Sequence, residues 1–152
     1  MENYNLFVYG TLKKGYGNHR IIQKSEYSWD FISVQKFDLS DYGFPCLYPN
    51  DHGKKAKGEI YKLTKEDFIF TDRLESNGSL YRREIQKFYN CNKAVDAWIY
   101  IIITPGMPIE VEDEIIDWNY NTSRISTYIW QRIPYVPLLN IMFVVSERVE
   151  SI

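Results

Sequence analysis

The chain has no excess of positive charge, almost no cysteine and no long apolar run, and each shortage removes a class of function. Its 18 lysines and arginines are outweighed by 20 aspartates and glutamates, a formal net charge of -2. No basic field draws a polyanion, so nucleic acid is not an expected partner. The densest basic spot, Lys54-Lys55-Ala56-Lys57, reads as a solvated loop. Only Cys46 and Cys91 occur, far apart and in unlike surroundings. They exclude a disulfide scaffold and point to free thiols of a cytoplasmic protein. Cys46 lies in the apolar run Phe44-Pro45-Cys46-Leu47-Tyr48, with no adjacent base or cation to activate it, so a structural role is expected. Neither His19 nor His52 stands at metal-ligand spacing from the cysteines, and no metal is expected. No apolar run reaches the length of a membrane span. Met1 to Asn5 has neither the basic segment nor the apolar core of a secretory signal.

What is present is aromatic and globular. The 152 residues suit one domain spanning 1–152 with a substantial core. Thirteen tyrosines, 8 phenylalanines and 4 tryptophans fit a sheet or barrel with wet edges. Strands are expected at Leu6–Tyr9, over Tyr27–Leu39, at Phe44–Tyr48 as an edge because of Pro45, at Lys57–Leu63, and at Tyr81–Tyr89 paired with Val95–Ile103. A short helix is expected over His19–Lys24 with Asn18 as its cap. A second begins at Thr64-Lys65-Glu66-Asp67, with Thr64 capping, and ends near Leu74 or Glu75. Glu110–Tyr120 reads as an acidic amphipathic helix with Val111, Ile115 and Trp118 on its apolar side. Ser123–Gln131 reads as a further helix and Leu138–Val145 as a last apolar segment. Strands with few helices, not in regular alternation, argue for an α+β fold around a small mixed or barrel-like sheet.

The first strand stops at Gly10, in Leu6-Phe7-Val8-Tyr9-Gly10-Thr11-Leu12-Lys13-Lys14-Gly15. On local grounds this is a strand ending in a turn. The same residues also offer a nest of backbone donors: the N–H groups of Gly10, Thr11 and Leu12 can point at a carboxylate or an oxyanion. Gly10 lets a ligand approach the backbone closely and takes conformations that other residues avoid. It is not a phosphate loop, since the Gly-x-x-x-x-Gly-Lys-Ser/Thr spacing is absent.

Val8-Tyr9-Gly10-Thr11-Leu12-Lys13, followed by Gly15, Asn18 and His19, resembles the opening signature of the gamma-glutamylcyclotransferase-like family, which includes gamma-glutamylamine cyclotransferases and AIG2-like proteins. Gly58-Glu59-Ile60-Tyr61, then Leu74-Glu75 with Leu80-Tyr81-Arg82-Arg83, then Ala97-Trp98-Ile99-Tyr100, resemble later blocks of that family in the right order. The resemblance implies a small mixed β-barrel flanked by a few helices. It implies an enzyme that releases 5-oxoproline and a free amine from a gamma-glutamyl amide, with the substrate's own amine as nucleophile. It implies Glu75 as the general acid and base; the negative end of the helix and burial would both raise its pKa. Tyr9, Gly10, Thr11 and Leu12 are implied to hold the substrate, and Tyr81 to hydrogen-bond it. Arg82 and Arg83 alternate sides of a strand, so at most one faces the site, and exposure is expected for both. The implied partner is a small gamma-glutamyl molecule; no membrane partner and no organic cofactor are implied. Two other readings share the pocket: a silent metabolite-binding module, serving as sponge or sensor, and a different lyase or amide-cleaving reaction. Ser76 departs from the family, many of whose members carry glycine after the glutamate.

Overall fold

A computed structural model describes residues 3–119. The elements are β1 (Asn3–Val8), a 3-10 helix (Gly17–Ile21), β2 (Glu26–Asp41), β3 (Pro45–Pro49), β4 (Lys54–Thr64), α1 (Lys65–Leu74), β5 (Tyr81–Tyr89), β6 (Ala94–Ile102) and β7 (Ile115–Ile116). Strands β2, β5, β6, β1 and β4 are neighbours in that order, and β4 pairs back onto β2, closing a five-stranded barrel. β1 runs parallel to β6 and antiparallel to β4, so the barrel is mixed, as expected. Closure uses the length of β2, whose register shifts between Tyr27 and Trp29 and again between Ile32 and Lys36. Such irregularities add the bend that a small barrel needs.

Alternation along the strands divides the core. In β1, Leu6 and Val8 join an outer cluster with Leu63, Phe68, Leu74 and Tyr100. Phe7 and the following Tyr9 join an inner cluster with Ile60, Phe88, Ile99 and Ile101. Phe7 stacks on Phe88 with ring centroids 4.1 Å apart. Burying each such ring contributes roughly 1.5–3 kcal/mol. The helix α1 covers the outer cluster with Phe68, Thr71 and Leu74.

The N-cap of α1 is the expected one. The Thr64 hydroxyl accepts from the Asp67 N–H at 3.2 Å. At the other end the Ser76 N–H donates to the Arg73 carbonyl and the Asn77 N–H to the Asp72 carbonyl, the two bonds of a Schellman motif. That motif puts Ser76 at φ 48, a left-handed conformation that suits glycine. Ser76→Gly is expected to raise stability by about 1 kcal/mol, read as a higher urea midpoint with an unchanged slope. A lower midpoint would show that the Ser76 side chain contributes more than its backbone strain costs.

Three local expectations are corrected. The residues from Gly17 to Ile21 form a single 3-10 turn, and its cap position, Tyr16, makes no side-chain cap bond. Asn18 is fully buried inside that turn because its side chain is drawn to Thr11. Lys54-Lys55-Ala56-Lys57 is the start of β4, not a loop. Its ammonium groups find the Val111 and Asp113 carbonyls, the Tyr89 hydroxyl and the Asp117 carboxylate. The described part of Glu110–Tyr120 is extended rather than helical. Ile115 and Ile116 pair with Lys55 and Ala56, and the Ile109 N–H donates to the Leu39 carbonyl at 2.7 Å. Ile116 and Trp118, two apart, are the buried residues there; a free sheet edge outweighed helix propensity. Ser123–Gln131 and Leu138–Val145 lie outside the described residues.

Candidate active site

Where β1 ends, a pocket of about 510 Å³, its open mouth included, is lined by Tyr9, Gly10, Thr11, Leu12, Phe44, Pro45, Leu74, Glu75, Leu80, Tyr81 and Tyr100 among others. The six residues singled out in the sequence therefore meet in one cavity, although 66 positions separate Tyr9 from Glu75 in the chain (75 minus 9). Among the described residues neither lysine nor arginine lines the pocket, and Glu75 is the one carboxylate that does.

The loop after β1 is held on several sides. Lys13 N–H donates to the Gly10 carbonyl at 3.0 Å, and Asn18 N–H to the Thr11 carbonyl at 3.1 Å. The Asn18 side-chain amide donates to the Thr11 hydroxyl at 2.9 Å, and His19 Nδ1 lies 2.9 Å from the Leu12 carbonyl. Lys13, nearly buried, turns its ammonium away to the Trp118 carbonyl at 2.5 Å, with Asp117 at 3.7 Å. Among the described residues nothing accepts from the N–H groups of Gly10, Thr11 or Leu12, so the loop is fixed and its donors are free for a ligand. Asn18 and His19 belonged to the quoted signature, and their part in it is to brace this loop.

Gly10 is required for a reason other than the one its sequence suggested. It is not at positive φ. A Cβ there would lie 2.5 Å from Cγ of Pro45 and 3.2 Å from its Cδ. Close packing of the loop on the start of β3 sets the residue, not backbone conformation.

Glu75 sits at the C-cap of α1, with its N–H donating to the Thr71 carbonyl at 2.9 Å. The side chain is half-buried, and no described residue hydrogen-bonds its carboxyl. Burial pushes the carboxyl up to about 8. The carbonyls of the last turn, whose partial charge was expected to help, are engaged by the Schellman bonds, and burial is the cause at work. A carboxyl poised near neutrality, without a partner of its own, can take a proton and return it.

The tyrosines build the walls. Tyr81 donates its hydroxyl to the Pro45 carbonyl at 2.9 Å and lies 3.5 Å from Cys46 Sγ, so its proton is used by the wall and its ring faces the cavity. Tyr9 donates to the Tyr100 carbonyl at 2.7 Å. Cys46 is fully buried, and burial pushes its thiol up, away from thiolate chemistry. Arg82 is exposed beside Glu84. Arg83 differs from expectation: it is partly buried, pairs with Asp72 at 2.8 Å, and lies 4.4 Å from the ring centres of Phe68 and Trp98. The pocket residues Phe44, Pro45 and Tyr100 were not singled out in the sequence. Tyr100 closed a quoted motif, which was the one signal for it.

A sequence model of the family described as gamma-glutamyl cyclotransferase, AIG2-like, matches residues 6–122. Human gamma-glutamylaminecyclotransferase is 29% identical over 91 residues, 53% of this chain and 58% of that protein. A gamma-glutamylcyclotransferase family protein of Escherichia coli K12 is 28% identical over 102 residues, 66% of this chain and 83% of that one. The crystal structure of an AIG2-like protein from Mus musculus matches with a TM-score of 0.62 at 25% identity, covering 70% of this chain and 81% of that one. An uncharacterised Pyrococcus horikoshii protein has the same fold, at a TM-score of 0.58 and 20% identity.

Proposed function

The chain belongs to the gamma-glutamyl cyclotransferase, AIG2-like family, and from that membership we propose that it converts a gamma-glutamyl amide to 5-oxoproline and a free amine, with Glu75 as the proton shuttle. The observation that supports this most is the pocket itself. It joins a carboxyl raised to about 8, which no described residue hydrogen-bonds, with a braced loop whose N–H donors no described residue engages.

The chemistry follows from those two parts. The Glu75 carboxylate takes a proton from the substrate's alpha-ammonium. The freed amine attacks the gamma-carbonyl carbon of the same molecule, a reaction that gains from being intramolecular. As the C–N bond forms, charge gathers on the carbonyl oxygen, where fixed backbone donors are worth most. Collapse breaks the bond to the leaving nitrogen. Two protons leave the attacking nitrogen and two reach the leaving one, so that the amine departs as an ammonium; Glu75 relays them in turn. Gly10, Thr11 and Leu12 hold the alpha-carboxylate or the oxyanion, and the rings of Tyr9 and Tyr81 enclose the substrate's carbon chain. The reaction needs no metal or organic cofactor.

A substrate with a second carboxylate meets no lysine or arginine among the described residues that line this pocket. Gamma-glutamyl amines, gamma-glutamyl-epsilon-lysine, gamma-glutamyl amino acids and glutathione, each incubated with the protein and followed by mass spectrometry, test the reading. The expected result is 5-oxoproline from at least one, with glutathione slowest. Binding without 5-oxoproline from any of them would favour a silent metabolite-binding module, and consumption of a ligand without 5-oxoproline would favour a different amide-cleaving reaction.

A further inference from the structure

Tyr100 touches both halves of the site. Its backbone carbonyl accepts the Tyr9 hydroxyl at 2.7 Å, at the root of the Gly10–Leu12 loop. Its own hydroxyl donates to Asp72 Oδ1 at 2.7 Å and lies 2.9 Å from the Thr71 hydroxyl. Both partners belong to the last turn and a half of α1, whose C-cap is Glu75. The residue is nearly fully buried and its ring lines the pocket. Asp72 Oδ1 also receives Arg83 Nε at 2.8 Å, so the accepting carboxylate is neutralised and fixed by a cation that two rings hold in place.

We propose that Tyr100 is a positioning residue, setting the distance and angle between the Glu75 carboxyl and the donor loop by gripping α1 with its hydroxyl and Tyr9 with its carbonyl. The inference rests on the reading of Glu75 as proton shuttle. The physical need is plain: α1 meets the barrel through the apolar contacts of Phe68 and Leu74, which tolerate sliding, and through the Arg83–Asp72 ion pair, a single directional tie, whereas proton transfer requires placement to a fraction of an ångström. The Tyr100 hydroxyl adds a second bond from another strand, β6, to that helix end, and two directional ties fix an orientation that one leaves free. The groups facing Glu75 from the surrounding elements are Tyr9, Cys46, Tyr81 and Tyr100. Burial raises the pKa of all four, so they stay neutral while Glu75 titrates, and they set dryness rather than charge.

Tyr100→Phe removes the hydroxyl, keeps the ring and the carbonyl, and leaves Asp72 paired with Arg83. Two readouts are taken on the full chain. With the best substrate of the panel, kcat is expected to fall on the order of tenfold or more with KM within about twofold. Carbon-13 NMR of labelled glutamate carboxyls, with Glu75 assigned from the spectrum of Glu75→Gln, is expected to show the Glu75 titration moving from about 8 toward the ordinary glutamate range. Thr71→Val is expected to act in the same direction and Thr71→Ser to restore wild-type behaviour. If Tyr100→Phe lowers the urea midpoint while kcat, KM and the Glu75 titration stay as in the wild type, the tyrosine is merely structural and the proposal is overturned. If the wild type releases no 5-oxoproline, the proposed reaction fails, and the NMR titration alone decides the role of Tyr100.

Discussion

Glu75→Gln is expected to lower kcat for 5-oxoproline release by roughly 10³-fold, within the span that one general acid–base group supplies. Glutamine matches the shape of the acid but can neither take nor return a proton. The wild-type kcat is expected to rise with pH through about 8, as the carboxylate forms, and this limb should vanish in the variant. Stability moves the opposite way. An ordinary glutamate titrates near 4.5, and burial raises Glu75 to about 8. Below the lower value both folded and unfolded chains hold the proton. Between the two the unfolded chain has released it and the folded chain has not, so the wild type loses stability as pH rises across that window and levels off above it. Glutamine does not ionise and escapes this loss. The variant should therefore gain on the wild type from pH 4 to pH 9, by on the order of a few kcal/mol once partial exposure is discounted. Urea titrations at the two pH values measure it. A stability difference independent of pH would show that the carboxyl is not desolvated, and with it the case for a tuned shuttle would fall.

The second large effect is expected at Gly10. In Gly10→Ala the new methyl meets Cγ of Pro45 at 2.5 Å, well inside contact distance. Pro45 opens β3, and its carbonyl already accepts the Tyr81 hydroxyl, so retreat of the ring disturbs a second wall of the pocket. Overpacking of this kind costs about 1–3 kcal/mol, and the donor loop, displaced from its braces, should lose roughly tenfold or more in affinity for a carboxylate ligand. Gly15→Ala is the control. It has nothing within 4 Å, but its φ of +91 imposes a backbone cost of about 1 kcal/mol away from the pocket wall. Urea melts and calorimetric titration with 5-oxoproline separate the two. Equal ligand affinity in Gly10→Ala and wild type would contradict the role given to the loop.

These two positions also mark how far the sequence could be read. Barrel strands, the N-cap of α1 and the meeting of Gly10 with Glu75 were legible because alternation, a capping threonine and an ordered set of motifs each carry a local signal. The reason for Gly10 was not, since the clash that demands it is with Pro45, 35 positions away (45 minus 10). Glu110–Tyr120 showed helical spacing, and yet its described part became an extended strap, because β4 offered an unpaired edge and Lys54 captured its carbonyls. Tyr100 looked like any strand aromatic; its hydroxyl acquires meaning only from what the fold places opposite it. Arg83 was assigned to the surface because strand alternation says which side a residue takes but not what covers that side.

The central claim, that the substrate's own amine displaces the leaving amine inside this pocket, is tested most directly by turnover of the best gamma-glutamyl substrate in water enriched in oxygen-18. Intramolecular attack takes no atom from solvent. The 5-oxoproline is expected to be free of the label, formed in step with the released amine and absent with Glu75→Gln. Labelled glutamate in place of 5-oxoproline would mean that water is the nucleophile, and would contradict it.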